Sequence, residues 1–253
     1  MKLQTQYLIR LAEKGVRGDG RKGEEYRKIE IEKNTIAKAE GSAKVKIGST
    51  EVVAGVKMDV GEPFPDKPDE GILITNAEFS PIASPEFETG PPDEDAIELA
   101  RVVDRGIRES GAIDMKKLCI TPGEKVWMVF IDIHILNHSG NLIDAAGLAA
   151  VTALKHTKIP EYDGEKVDYE NKTKPLPLVH LPVTVTTAKI GNLYVVDPGL
   201  EEEDVMSVRL TVTTKEDGNV CAIQKSGPDG LLLEEVEKIF KLSIKKGNEI
   251  RKL

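Results

Sequence analysis

The sequence predicts an α+β fold, a hairpin-built mixed sheet with crossover helices, and three observations predict it. Strand-like runs recur in pairs around tight turns, at Gly48-Ser49-Thr50, Pro122-Gly123, Gly191-Asn192 and Asp217-Gly218. Helical periodicity appears between groups of strands rather than after every strand, so the alternation of a parallel sheet is missing. One helical stretch, residues 143–157, is Ala-rich and apolar nearly all round, the pattern of a helix buried on most faces.

The elements follow in order. Leu3, Tyr7, Leu8 and Leu11 recur at helical spacing and Gly15 is a stop, giving an N-terminal helix within residues 1–15. Arg17-Gly18-Asp19-Gly20-Arg21 is a loop. Ile29 and Ile31 alternate with charged neighbours in a first strand, and residues 43–47 and 52–60 form a hairpin. A Pro/Asp-rich loop at 62–70 leads to a strand at 71–79, then to an irregular stretch at 80–92. Asp93 is an N-cap, with Glu94, Asp95 and Glu98 at the positive end of the helix dipole, and Ala96, Leu99, Val103 and Ile107 mark the apolar face of a helix over 93–110. Residues 118–120 and 125–136 form a second hairpin before the buried helix. Residues 160–175 are charged and poorly patterned, a surface excursion. Strands return at 179–189, 193–196, 208–214 and 220–224, and a C-terminal amphipathic helix falls within 230–252. No Gly/Ser linker divides the chain, so residues 1–253 are read as a single domain.

Composition narrows the class. The chain has 253 residues, 40% apolar and 31% charged, which suits a packed soluble protein and not a disordered one. No apolar run is long enough for a transmembrane helix and no secretory signal is visible, so no membrane partner is expected. Two cysteines, Cys119 and Cys221, cannot form a disulfide scaffold, and a cytoplasmic location follows. The net charge of −8 argues superficially against nucleic acid, but it is unevenly spread. Residues 1–57 carry 13 Lys/Arg against 8 Asp/Glu, residues 58–110 carry 4 against 14, and residues 111–253 carry 18 against 21. Such patches bear on steering and subunit pairing, or are an ordinary solvated surface.

Generic catalytic motifs are missing: no Walker A loop, no G-x-G-x-x-G, no H-E-x-x-H and no C-x-x-C. His134 and His138 are four apart on an expected strand with Asp132 as the one available third ligand, and structural or solvated histidines are the better reading, so no metal or cofactor is expected. Asn137-His138-Ser139 and Asn171-Lys172-Thr173 fit the glycosylation pattern without a secretory route. The densest acidic run, Asp197 to Asp204, reads equally as a metal or acid/base site and as an acidic turn closing a strand.

Several segments carry a family resemblance. Arg17-Gly18-Asp19-Gly20-Arg21, Glu25-Tyr26-Arg27-Lys28-Ile29, Glu40-Gly41-Ser42-Ala43 and Gly48-Ser49-Thr50-Glu51-Val52 resemble the opening of RNase PH-type phosphorolytic exoribonucleases. The Gly-rich turn before the buried helix looks like that family's phosphate loop, and Val195-Val196-Asp197 followed by Glu203 looks like its acidic pair. The stretch from Gly90 to Arg105 is similar to the non-catalytic RNase PH-like ring subunits of the archaeal exosome. The resemblance spans roughly residues 8–250. It implies an RNase PH-like βαβα fold and a hexameric ring of three heterodimers with a catalytic RNase PH-like subunit. It also implies RNA-binding cap subunits on one face, and RNA shortened from its 3′ end by phosphate attack in a central channel.

The same resemblance implies that this copy is inactive. Active relatives carry Gly-Gly-Thr-Arg at the N-terminus of the buried helix, where backbone N–H groups, the dipole and the Arg hold phosphate. Here the Thr and Arg positions are Leu142 and Ile143, and Asp144 adds a negative charge in the first turn. Between Ser84 and Ala96, where active relatives carry a second phosphate-gripping arginine, the chain has none and offers Glu86 and Glu88. Asp197 and Glu203 remain as degenerate remnants of the acidic pair. The alternatives are an exoribonuclease active in its own right, metal-dependent hydrolysis at the two acids, and a structural role in some other assembly. Arg101, Arg105 and Arg108 share one face of the helix at 93–110. The resemblance implies RNA contact for Arg101 and Arg105, whereas Arg108 reads as a solvated residue paired with Asp104.

Overall fold

The computed structural model describes the backbone from residue 2 and the side chains from residue 5 to the C-terminus, so the expected contribution of Leu3 lies outside the described side chains. The N-terminal helix α1 spans Lys2–Glu13. β1 (Ile29–Lys33), β2 (Gly41–Ile47), β3 (Thr50–Gly61) and β4 (Ile72–Phe79) precede α2 (Glu94–Glu109), and β5 (Cys119–Thr121) and β6 (Lys125–Asn137) precede α3 (Leu142–Lys155). These strands make one sheet in the order β1-β2-β3-β6-β4, with β5 also on β6. All its pairs are antiparallel except β4–β6, which is parallel because α2 crosses over between them. The alternation seen in sequence is the burial pattern: Val52, Ala54, Val56 and Met58 on β3 and Ile131, Ile133 and Ile135 on β6 are at most 1% exposed.

Residues 158–175 correct the sequence reading. They form a two-stranded hairpin, β7 (Lys158–Tyr162) and β8 (Val167–Pro175). Most of its side chains are at least partly solvated, so no apolar alternation marked it; ring contacts such as Lys57 over Tyr169 and Lys125 over Tyr162 anchor it. The next strand also starts later than expected, as β9 (Val183–Ile190). With β10 (Leu193–Val196), β11 (Val208–Thr214) and β12 (Val220–Ser226) it forms a second sheet, β10-β9-β11-β12. A short helix, α4 (Leu200–Glu203), lies in the acidic run, and α5 (Leu233–Ile250) ends the chain.

Helix α3 packs on β2 and β3 of the first sheet and on β9 of the second. That position explains its all-round apolarity. The second sheet meets α2 and α3 through threonines rather than aliphatics. Thr184 pairs with Thr213 (3.0 Å) and Thr186 with Thr211 (2.9 Å), so each hydroxyl keeps a partner after leaving water. The helices present glycines there: a Cβ at Gly106 would lie 3.2 Å from Thr213 Oγ1, and one at Gly147 3.3 Å from Thr184 Oγ1. The sheet's other face packs Leu210 and Val212 against Ile239 of α5.

Candidate functional site

The fold brings Leu142, Ile143, Asp197 and Glu203 to one place, where the N-terminus of α3 meets the chain leaving β10. Asp93 caps α2 as expected, its carboxylate accepting from Ala96 N at 2.8 Å. At α3 the N-cap is Asn141, held in the left-handed region (φ 52°, ψ 47°), which an Asn tolerates better than most residues. Gly140 before it has φ 88°, and a Cβ there would come within 2.6 Å of the backbone of Pro198, Gly199 and Leu200. The acidic run therefore passes directly over the helix terminus.

Asp197 is completely buried and takes φ 49°. Its Oδ1 accepts from Arg27 Nη2 (2.7 Å) and Asn141 Nδ2 (2.9 Å). Its Oδ2 accepts from Arg27 Nε (2.8 Å), Arg27 N (2.9 Å) and Arg21 Nη1 (2.8 Å). Burial opposes the charge, but Arg27 outweighs it and holds the carboxyl below the usual carboxylate range. Arg27 also donates to the carbonyls of Ser139 (2.6 Å) and Gly140 (3.2 Å), tying the turn before α3 to Asp197. One step further in, the buried Arg17 donates to Glu202 through Nε (2.9 Å) and Nη2 (2.6 Å) and to the carbonyls of Val196 and Asp197. The Arg17-to-Arg21 loop, read from sequence as a family motif, is thus the clamp on the acidic run.

Glu203 does something different. Its Oε1 accepts from the backbone N of Asn141 at 2.9 Å, so a carboxylate of this chain sits on a free amide at the α3 N-terminus. The N-cap amide of this helix terminus is therefore engaged from within the chain. Asp144, expected to place a repelling charge in the first helical turn, turns inward. It is buried and accepts from Tyr26 Oη (2.7 Å), Asn141 Nδ2 (2.9 Å), Thr186 N (3.0 Å) and Thr186 Oγ1 (2.7 Å). Burial pushes the Asp144 carboxyl up to about 6 and the Glu203 carboxyl up to about 7.

A cleft of about 190 Å³ opens in front of Glu203, with Leu142 and Ile143 in its wall. Its charged groups are Glu86, Asp95, Glu98 and Glu203 against Arg209, with His138 kept neutral-leaning by burial. Arg209 is shared, 3.7 Å from Glu98 and 3.9 Å from Glu203. A multiply charged anion entering here meets the carboxylates of Glu86, Asp95 and Glu98, a Glu203 carboxyl whose charge is held back by burial, and one cation already shared between Glu98 and Glu203. Of Glu86 and Glu88, the two acids in the stretch expected to lack a phosphate-gripping cation, Glu86 lines this cleft and Glu88 does not.

The histidines point to different neighbourhoods. His134 Nδ1 lies 3.2 Å from Glu78, while His138 stacks on Phe87 with ring centroids 5.5 Å apart. Among the described residues no group of three His, Cys, Asp or Glu side chains is placed to hold a metal. On α2, Arg108 pairs with Asp104 (2.9 Å) and donates to the Leu73 carbonyl (3.1 Å), whereas Arg101 and Arg105 are exposed without an ion-pair partner among the described residues. No described helix is long and apolar enough to cross a membrane.

The Glu203 environment has a measurable consequence. A carboxyl whose folded pKa is raised keeps its proton in the native state while the unfolded chain has lost it. Between the ordinary glutamate value of about 4.3 and about 7 the native state binds more protons, so this group makes stability fall as pH rises. Glu203→Gln removes that titration and keeps an oxygen for the Asn141 amide. Its melting temperature relative to the native chain is expected to climb between pH 5 and pH 8. A difference that stays constant over that range contradicts the assignment.

Two crossover helices between hairpin sheets and an acidic strand end facing a Gly-turn helix terminus make up a scaffold of the 3′ exoribonuclease family type. Family models of the 3′ exoribonuclease family match residues 25–160 (RNase_PH, domain 1) and 180–246 (RNase_PH_C, domain 2), and the chain belongs to that family. It is 53% identical to the exosome complex component Rrp42 of Thermococcus kodakarensis over 98% of this chain and 93% of that protein. The Rrp42 component of Methanocella arvoryzae is also 53% identical, over 98% and 94%. A chain of the Archaeoglobus fulgidus exosome with RNA bound to the active site superposes with a TM-score of 0.93 at 50% identity, covering 99% of this chain and 97% of that one. Rice Rrp46, at 17% identity and a TM-score of 0.71, shares the fold.

Proposed function

We propose that this chain is a non-catalytic ring component of an archaeal exosome, a 3′–5′ RNA-degrading complex of the cytoplasm. In this reading residues 1–253 act as one unit. Three copies alternate with three copies of a catalytic RNase PH-like subunit, RNA-binding cap subunits cover one face, and Arg101 and Arg105 contact RNA and help order the partner's active site. Near full-length identity to Rrp42 components supports the assembly. The observation that carries the lack of catalysis is Glu203 on the α3 amide: the anion seat is filled from within the chain, and Leu142 and Ile143 supply no replacement grip. Asp197, bonded by Arg21, Arg27 and Asn141, has no oxygen left to serve as a base. The two unpaired arginines on α2 meet phosphates by charge alone, which suits sequence-independent RNA contact.

The test of the assembly is the mass of the native complex formed when this chain is mixed with its catalytic paralogue. A complex of three and three is expected. A stable complex with any other stoichiometry, or none, rejects the ring reading.

A further inference from the structure

A second acidic cleft adjoins the one before α3 and shares Phe79 and Glu86 with it. This cleft of about 530 Å³ runs beside the second half of β4 and is lined by Glu78, Glu86, Glu88, Asp93, Asp132 and His134, with no Lys or Arg in its wall. Three of these acids have partners: Asp93 caps α2, Glu78 faces His134 and Asp132 accepts from Asn76 Nδ2 at 3.4 Å, which leaves Glu86 and Glu88 without an ion-pair partner among the described residues. The cleft follows a sheet edge, because β4 is paired on one side only, to β6. The beginning of that edge is closed by side chain, Arg108 donating to the Leu73 carbonyl, which leaves residues 75–79 of the edge, of which 76–79 line the cleft.

Sheet edges invite unwanted pairing, and proteins usually blunt them with lysine, proline or a bulge. The β4 sequence ILITNAEF has none of these, and its pairing with β6 is regular throughout. Phe79, Pro91 and Pro92 add apolar wall to the cleft. The charge excludes RNA, and no metal-ligating group forms among the described residues. What remains complementary is an extended polypeptide whose backbone completes the sheet and whose cationic side chains meet the carboxylates. We propose that the β4 edge is a docking site for an Arg/Lys-bearing extended segment of another polypeptide, bound as an added strand over residues 75–79. The proposal is tested apart from the ring assignment, on this chain alone.

The test uses the purified full-length chain and a short labelled peptide alternating arginine and valine, with two controls: the same peptide with glutamate for arginine, and one with alternate amides N-methylated. The arginine peptide alone is expected to bind, and its binding is expected to slow amide exchange across residues 75–79. The Glu78→Gln, Glu86→Gln, Glu88→Gln variant is expected to weaken binding about tenfold at low salt, each exposed pair contributing a few-fold, with its melting curve as the folding control. Equal binding of the glutamate or N-methylated peptide, protection elsewhere than 75–79, unchanged affinity of the variant, or no binding at all overturns the proposal. Protection of 75–79 by oligo(A) in place of the peptide overturns it as well.

Discussion

Replacing Arg27 with alanine is expected to cost about 3–5 kcal/mol of stability, the usual penalty for leaving one half of a buried ion pair behind. Asp197 is fully buried, and Arg27 supplies three of its five hydrogen bonds while also holding the Ser139 and Gly140 carbonyls. One of the three comes from the backbone and survives the substitution; the guanidinium bonds do not. Arg27→Lys is expected to recover only part of the loss, because one ammonium cannot reproduce a fork that reaches two carboxylate oxygens and two carbonyls. The effect has a pH signature. A carboxyl whose folded pKa is depressed contributes stability that is present above the ordinary aspartate value of about 3.9 and disappears as pH falls through the folded value. The gap between native and variant chains in denaturant titrations is therefore expected to be full at pH 6 and to close below pH 4. A gap that is small at pH 6, or that persists into acid, contradicts the clamp.

The second large effect concerns RNA. Reversing Arg101 and Arg105 to glutamate in the assembled ring is expected to weaken RNA binding at low salt by one to two orders of magnitude, roughly 1.4–3 kcal/mol. The slope of log affinity against log salt is expected to fall by about 1.4, since each phosphate contact on a single strand contributes about 0.7. Arg108→Glu is the internal comparison. Arg108 is already engaged by Asp104 and the Leu73 carbonyl, so its reversal is expected to leave the salt slope unchanged. Equal effects from all three positions would mean that the helix acts through general charge and not through its two unpaired arginines. Unchanged affinity of the double variant removes the RNA contact altogether.

Much of the fold is legible in the sequence because its strands bury one face and its helices show period or composition. Val52 to Met58 and Ile131 to Ile135 alternate because the first sheet has a single apolar side against α2 and α3. The β7–β8 hairpin escapes notice for the opposite reason: its side chains are largely solvated, so pairing leaves no hydrophobic trace. The threonine face of the second sheet is a third case. Thr184, Thr186, Thr211 and Thr213 look like the solvent side of a strand in VTVTTAKI and VRLTVTT, yet they are the side that meets the helices. Hydroxyl pairing within the sheet makes that burial tolerable, and pairing between strands distant in sequence has no local signature.

The candidate site divides in the same way. Leu142 and Ile143 at the phosphate loop are plain in the sequence, as are Arg101 and Arg105 on one helical face. The roles of the acids are not. Asp144 sits at the right sequence position to repel phosphate, yet it turns into the core to meet Tyr26 and Thr186. Glu203, read as one half of an acidic pair, instead caps the helix because Gly140 lets residues 198–200 cross the α3 terminus. Asp197 is likewise no free carboxylate, since the Arg17-to-Arg27 segment folds over it. Each of these depends on contacts between residues more than 40 positions apart, which neither spacing nor periodicity carries.

The charge distribution acquires a physical meaning at the same time. Glu86, Asp95 and Glu98 of the acidic middle segment line the cleft before α3, while Arg101 and Arg105 are exposed on α2 without an ion-pair partner among the described residues. The segment rejects anions from one place and offers cations at another. The measurement that tests this account most directly is phosphate-dependent release of ADP from poly(A), made with this chain alone, with its catalytic paralogue alone, and with the two assembled. The account predicts no ADP from this chain alone and more from the assembly than from the paralogue alone. Phosphate-dependent ADP release by this chain as the only protein present contradicts it.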